Sequence, residues 1–208
     1  MGVIYMKILN FGSLNIDYVY SVDHFVQKGE TISSSQMNIF SGGKGLNQST
    51  ALGRAGAQVF HAGRIGKGGE FLVEQLKEAG VNTDLVVLDS QCSTGHAIIQ
   101  NDAEGDNCIL LYGGANQRIT KEQIDATLDQ FDAGDYLVLQ NETSNLPYLM
   151  EKAAEKQMKI VLNPSPMDEK IKALPLDKVT LFFVNEIEAA QILGQKELES
   201  TEKAVGAF

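Results

Sequence analysis

The sequence is short of cysteine, of basic residues and of long apolar runs, and each shortage removes a class of function. Its 208 residues include only two cysteines, Cys92 and Cys108, too few for a disulfide-stapled secreted scaffold. If Asp102 to Gly105 turn a hairpin, Cys108 faces Ile99 and cannot meet Cys92, so two free thiols in a reducing cytoplasm are expected. Lys and Arg number 17 against 27 Asp and Glu, a formal charge of −10. That balance disfavours nucleic-acid binding, which needs basic surface to displace counterions, while leaving room for a local basic pocket that takes one small anion. No run approaches the roughly 18 apolar residues of a membrane span. Met1 to Asp17 lacks the basic segment and apolar core of a secretory signal. Met1-Gly2 opens like a myristoylation site, but Met6 stands where Ser or Thr is wanted. His24, His61 and His96 are scattered without metal-ligand spacing. What remains is ordinary globular composition, 43% hydrophobic and 21% charged, in a chain long enough to bury a sizeable core.

Hydrophobic patterning predicts an α/β fold. Met6 to Gly12 reads as a short buried strand, and Leu46 to Ala55 as a helix closed by Gly56. Val59 to Ile65 (strand), Glu70 to Ala79 (helix) and Leu85 to Leu88 (strand) continue a strand–helix alternation that signals a parallel sheet with helices on its faces. The rhythm resumes with a helix over Thr120 to Gln130, opened by a Thr120–Gln123 capping box. A strand at Tyr136 to Leu139, a helix at Leu146 to Gln157, strands at Ile160 to Leu162 and Leu181 to Val184, and a helix at Glu186 to Leu193 follow. Two strand-rich insertions, about 18–40 and 93–113, interrupt this single domain. They fall after strand ends, where open α/β sheets bind ligands, and together could form a small β lid; two decorative hairpins would give the same pattern.

The most chemically loaded stretch is Gly42-Gly43-Lys44-Gly45-Leu46-Asn47 at the start of a helix. Its glycines let backbone approach a ligand, and a helix N-terminus offers free N–H groups to an anion or hydroxyl. Gly45 after the Lys excludes a Walker A loop, and Gln48 excludes a dinucleotide fingerprint. A tight turn with a solvated Lys also fits. Asn15 and Asp17 share one side of an extended chain and could hydrogen-bond vicinal hydroxyls, although both also favour turns. Glu142 follows a strand, in a position where a lone acidic residue is usually solvated. Asn185 and Glu188 read either as a helix cap with its capping-box partner or as a carboxylate near hydrated Mg²⁺. Asp135, in Asp132-Ala133-Gly134-Asp135, precedes a strand and so belongs at the opposite sheet edge.

Together these residues resemble the ribokinase-like sugar kinases, the PfkB family. The stretch from Gly42-Gly43 through Asn47 and Ser49 to Gly56 and Gly66 is similar to that family's first signature. Gly12 to Asp17, Gly42 to Gln48, Ser93 to Ala97, Gly113 to Asn116 and Asn163 to Pro166 are most similar to its ribokinase branch. Gly68 departs from the pattern, since the family often has Asp there.

The resemblance implies a ribokinase-like α/β/α sandwich with a β-sheet lid, and ATP-dependent phosphorylation of a pentose hydroxyl, with ribose the first candidate. It implies sugar contacts from Asn15, Asp17, Gly42, Gly43, Lys44, Asn47 and Glu142. It also implies a nucleotide-phosphate and Mg²⁺ element at Asn185 and Glu188, with Glu188 acting on the metal through water, and a homodimer formed through the lid. The family's second signature, a Gly-Ala-Gly-Asp stretch carrying the catalytic base, has no counterpart in this sequence. The expectation is therefore a C-terminally truncated kinase with little or no phosphoryl transfer; the alternative is a non-catalytic sugar-binding module derived from the same fold.

Overall fold

A computed structural model describes residues 6–197. The expected alternation is there in order: β1 (Ile8–Phe11), β2 (Asn15–Ser21), β3 (Gln36–Gly42), α1 (Lys44–Arg54), β4 (Val59–Lys67), α2 (Glu70–Glu78), β5 (Asn82–Ser93), β6 (Gly95–Asn101) and β7 (Asn107–Tyr112). A short 3₁₀ helix (Gly114–Arg118), α3 (Lys121–Leu128), β8 (Tyr136–Gln140), α4 (Leu146–Glu155), β9 (Lys159–Asn163), β10 (Val179–Phe182) and α5 (Glu186–Ile192) follow. Thr201 to Phe208, a stretch that by sequence suits the start of a new helix, lies outside the described residues.

Six strands form the main sheet in the order β10-β9-β8-β1-β4-β5, and every neighbouring pair is parallel. The chain first builds outward from β1 through β4 to β5, then returns to β8 on the other side of β1. The order therefore reverses between β1 and β8, and the crevice beyond their C-terminal ends is where open α/β sheets place ligands. Pleating sends Leu9 and Phe11 to one face, where they pack with Leu137, Leu139, Ile124, Leu128, Leu149 and Phe131 beneath α3 and α4. The other face packs Val59, Leu46, Leu72 and Leu76 beneath α1 and α2. That second helical layer stops short of β8 and β9. An apolar groove of about 410 Å³, with Val138 and Val161 in its floor and Phe183 at its side, runs along the uncovered part.

The two insertions combine into one four-stranded lid, ordered β3-β2-β6-β7. β2 begins at Asn15, earlier than the patterning indicated, so Asn15 and Asp17 belong to a lid strand and not to a loop. The hairpin register also differs by one residue: Cys108 pairs with Gln100, and Ile109 with Ile99. The cause is the turn. The Asp102 carboxylate accepts from the Glu104 and Asp106 amides, and the Asp102 amide donates to the Asp106 carbonyl, closing an odd-length loop. Both cysteines are free, as expected. Thr120 caps α3 by accepting from the Gln123 amide, but the Gln123 side chain turns to the Gly63 carbonyl and Arg64 instead of completing a capping box. Gly68, at φ 84°, occupies a left-handed turn position, where an added Cβ would meet Ile16 Cδ1 at 3.9 Å.

A buried polar chain ties the sheet to α1. Gln140 Nε2 donates to Asn10 Oδ1 and Gln48 Oε1, and Asn10 Nδ2 donates to the Gly45 carbonyl and Ser49 Oγ. The Ser49 hydroxyl is then free to donate to Nδ1 of a neutral His61, 2.7 Å away. Burial holds the His61 pKa down to about 4, with the Gly12 carbonyl as the one opposing influence. The unfolded chain therefore takes up this proton first as pH falls from 6.5 to about 4, and stability is lost across that window. Denaturant unfolding at a series of pH values should show a loss of roughly 3 kcal/mol from this residue by its lower limit, at about 1.4 kcal/mol per pKa unit. His61→Gln should flatten that part of the profile, whereas an unchanged slope would contradict the assignment.

Candidate functional site

The crevice between β1 and β8 is built around one carboxylate. Glu142, just beyond β8, stands where a lone acidic residue is usually solvated, yet its side chain is only 7% exposed. Burial of a carboxylate is tolerable only with donors around it, and three are present. The Ser13 hydroxyl and the Lys44 amide (3.0 Å) both donate to Oε2, and Lys44 Nζ lies 3.1 Å from Oε1. The Gln117 side chain also holds the Glu142 carbonyl at 2.8 Å. One residue thereby joins the loop after β1, the start of α1, the loop after β8 and the 3₁₀ helix.

The glycines make this convergence possible. Gly43 precedes α1 at φ 94°, a conformation that L side chains rarely adopt. A Cβ on Gly45 would stand 2.4 Å from the Ser13 nitrogen, so the helix start meets the β1 loop backbone to backbone. A Cβ on Gly42 would collide with the Asp17 carboxylate, which lies directly against that backbone.

Asp17 differs from Glu142 in having no hydrogen bond from the protein among the described residues. Its pKa is raised by partial burial first and by the Glu142 charge second, with Lys44 opposing. Asn15 is almost fully buried. Its Oδ1 accepts from Asn116 Nδ2 at 2.8 Å, and Asn116 itself is fixed by the Leu14 amide and carbonyl. The Asn15 Nδ2 is thereby left as the donor. A pocket with acceptors at Asp17 and Glu142 and donors at Lys44 and Asn15 matches a neutral polyol. Its two carboxylates would repel a substrate that already carries phosphate.

The structure thus brings Asn15, Asp17, Gly42, Gly43, Lys44 and Glu142 together. Asn47 lies on the first turn of α1, its amide donating to the Gly43 carbonyl at 3.1 Å and its side chain exposed. Asn185 and Glu188 follow β10 at the same sheet edge and form a reciprocal capping box, with bonds of 2.8 and 3.1 Å. Among the described residues no three His, Cys, Asp or Glu gather to hold a metal. Asp135 lies at the opposite edge as expected, where its carboxylate accepts from the Lys7 and Asp132 amides. Sequence reasoning missed Ser13 and Asn116 as parts of the site. Asn116 sat inside the Gly113–Asn116 motif, but nothing in its spacing revealed that it holds Asn15.

Comparison with known proteins agrees with this architecture. Residues 6–208 match the family described as pfkB family carbohydrate kinase. The ribokinase of Staphylococcus aureus is 34% identical over 199 residues, covering 91% of this chain; the chain spans 64% of that relative's length. The crystal structure of ribokinase from Cryptococcus neoformans in complex with ADP superposes with a TM-score of 0.78 at 36% identity, over 97% of this chain and 66% of that one. Ribokinase from Thermotoga maritima gives a TM-score of 0.80 at 30% identity, over 98% of this chain and 68% of that one. With its α/β/α core, its four-stranded lid and its glycine-opened helix, the chain belongs to the pfkB family of carbohydrate kinases.

Proposed function

We propose that this chain carries the sugar-binding part of an ATP-dependent pentose kinase, with D-ribose as the first candidate substrate. The observation that carries the reading is Asp17: a half-buried carboxylate with no protein donor, facing the Glu142–Lys44 pair across a glycine backbone. Such a group is poised to accept hydrogen bonds from a ligand's hydroxyls. Asn15 and Lys44 would donate to sugar oxygens, Gly42 and Gly43 would let the ring approach the backbone, and Asn47 would reach it from the helix. The ribokinase names of the relatives support the substrate class.

ATP would supply the phosphoryl group in such a reaction. The fit of the proposed nucleotide and Mg²⁺ element is limited. Asn185 and Glu188 spend their facing oxygens on each other's amides, and only the second Glu188 oxygen is left to act through water. The larger role of the described residues would be to bind and orient the sugar. No residue among them is placed as the hydroxyl base, so ribose binding without turnover is the expected behaviour. A self-sufficient sugar-binding module would share that behaviour, but the apolar groove beside β8 and β9, uncovered among the described residues, weighs against it. The free thiols fit a reducing, cytoplasmic setting, and no helix among the described residues is long and apolar enough to cross a membrane.

Calorimetric titration with D-ribose should give saturable binding that Asp17→Asn weakens at least about tenfold, roughly 1.4 kcal/mol. Affinity should also fall with acidification at a higher pH than an ordinary carboxylate would produce, since protonated Asp17 loses an acceptor. Absence of binding by the folded chain would overturn the proposal.

The lid also supports a homodimer. Ile39, Tyr18, Ile98 and Leu110 form one cross-strand row on a single face, and Ile39, Ile98 and Leu110 are 53%, 38% and 67% exposed. An apolar row of this kind on a small sheet calls for cover. Light scattering coupled to size exclusion should show a dimer that Ile98→Glu dissociates; a monomer at all concentrations would contradict it.

A further inference from the structure

The 3₁₀ helix Gly114–Arg118 separates two polar regions. Asn116 and Gln117 bond to the sugar-site residues, whereas Arg118, next along, bonds to Asp89. On that far side lies a cavity of about 490 Å³ between β4 and the start of α3, lined by Arg64, Arg118, Thr120, Lys121, Glu122 and Asn145 among others. The acidic chain here gathers three cations.

Two of them are tied to one carboxylate, Arg64 largely buried and Arg118 half-exposed. Arg118 Nε and Arg64 Nη1 donate to the same Asp89 oxygen, at 2.8 and 3.3 Å, and Arg64 Nε donates to Gln123. The Asp89 side chain is only 8% exposed and that of Arg64 only 15%. One carboxylate thus fixes two guanidinium groups, and Arg64 Nη2 and both Arg118 Nη atoms have no protein acceptor among the described residues. The Glu122 carboxylate also lines the cavity, and its own amide and the Thr120 hydroxyl hold it below the usual carboxylate range. Lys121 adds a third cation, stacked over the Tyr148 ring at 4.8 Å. A cluster serving only to staple β4, β5 and the 3₁₀ helix would need no donors directed elsewhere.

We propose that this cavity is an anion site for a phosphoryl group, carried either by free phosphate or by a small phosphate monoester. Guanidinium groups match tetrahedral oxyanions through paired N–H donors, and their fixation by Asp89 lowers the ordering cost of binding. The site is independent of the proposed sugar reaction, and its ligand carries the charge that the Asp17–Glu142 pocket disfavours.

The test is calorimetric titration of the full chain with inorganic phosphate and with glycerol 3-phosphate, at ionic strength matched with chloride. Saturable binding of at least one is expected, and the tighter of the two identifies the source of the phosphoryl group. Arg118→Gln, at a half-exposed position, should weaken it at least tenfold, and Glu122→Gln should strengthen it by removing a like charge from the lining. Heats no different from chloride, or phosphate affinity unchanged in Arg118→Gln with the variant folded by circular dichroism, would overturn the proposal.

Discussion

The buried Glu142 carboxylate is the interaction on which the arrangement of the crevice depends. Taking an ionised carboxylate out of water costs several kcal/mol unless donors replace the lost hydration. Here the replacements come from two separate segments, Ser13 after β1 and the backbone and side chain of Lys44 at the head of α1, while Gln117 in the 3₁₀ helix fixes the residue's own carbonyl. Removing any one donor leaves the charge under-solvated, so the segments are held in register by a shared electrostatic requirement. The same requirement aims Lys44 into the pocket, and the Glu142 charge adds to partial burial, the larger cause, in raising the proton affinity of Asp17, with Lys44 opposing. Structure and ligand chemistry are therefore set by one group.

Below that clamp the geometry rests on an absence of side chains. Gly12 and Gly45 meet so closely that a Cβ on Gly12 would lie 2.6 Å from the Gly45 Cα. The polar chain from Gln48 through Gln140, Asn10 and Ser49 to His61 then fills the remaining space with hydrogen bonds. Such a network specifies one position for α1 where an apolar contact could slide, because each unsatisfied member would cost free energy. The fold thus presents the glycine loop on a rigid base while the lid strand carrying Asp17 crosses above it.

The architecture was largely legible in the sequence, because alternation of short apolar strands with amphipathic helices is a strong local signal. Gly56, at left-handed φ, marks the end of α1 as read. The glycine loop and the Asn15–Asp17 pair were legible for the same reason, through conformational freedom and spacing. What escaped was decided by long-range pairing. Glu142 gave no sign of burial, since its donors lie 98 and 129 residues away in the chain. The Gln123 side chain was claimed by Gly63 and Arg64, 60 and 59 residues distant, over a local capping box. The lid hairpin slipped by one residue from expectation because the Asp102 carboxylate, and not the apolar pattern, closes the turn.

The central claim is that Asp17, Asn15 and the Glu142–Lys44 pair together receive a neutral sugar. A crystal structure of the protein grown with D-ribose tests it most directly. The account predicts the sugar in the crevice between β1 and β8, with ring hydroxyls within hydrogen-bonding distance of Asp17 and of Lys44 or Glu142. Ribose bound elsewhere, or an Asp17 carboxylate that contacts no sugar hydroxyl, would contradict it.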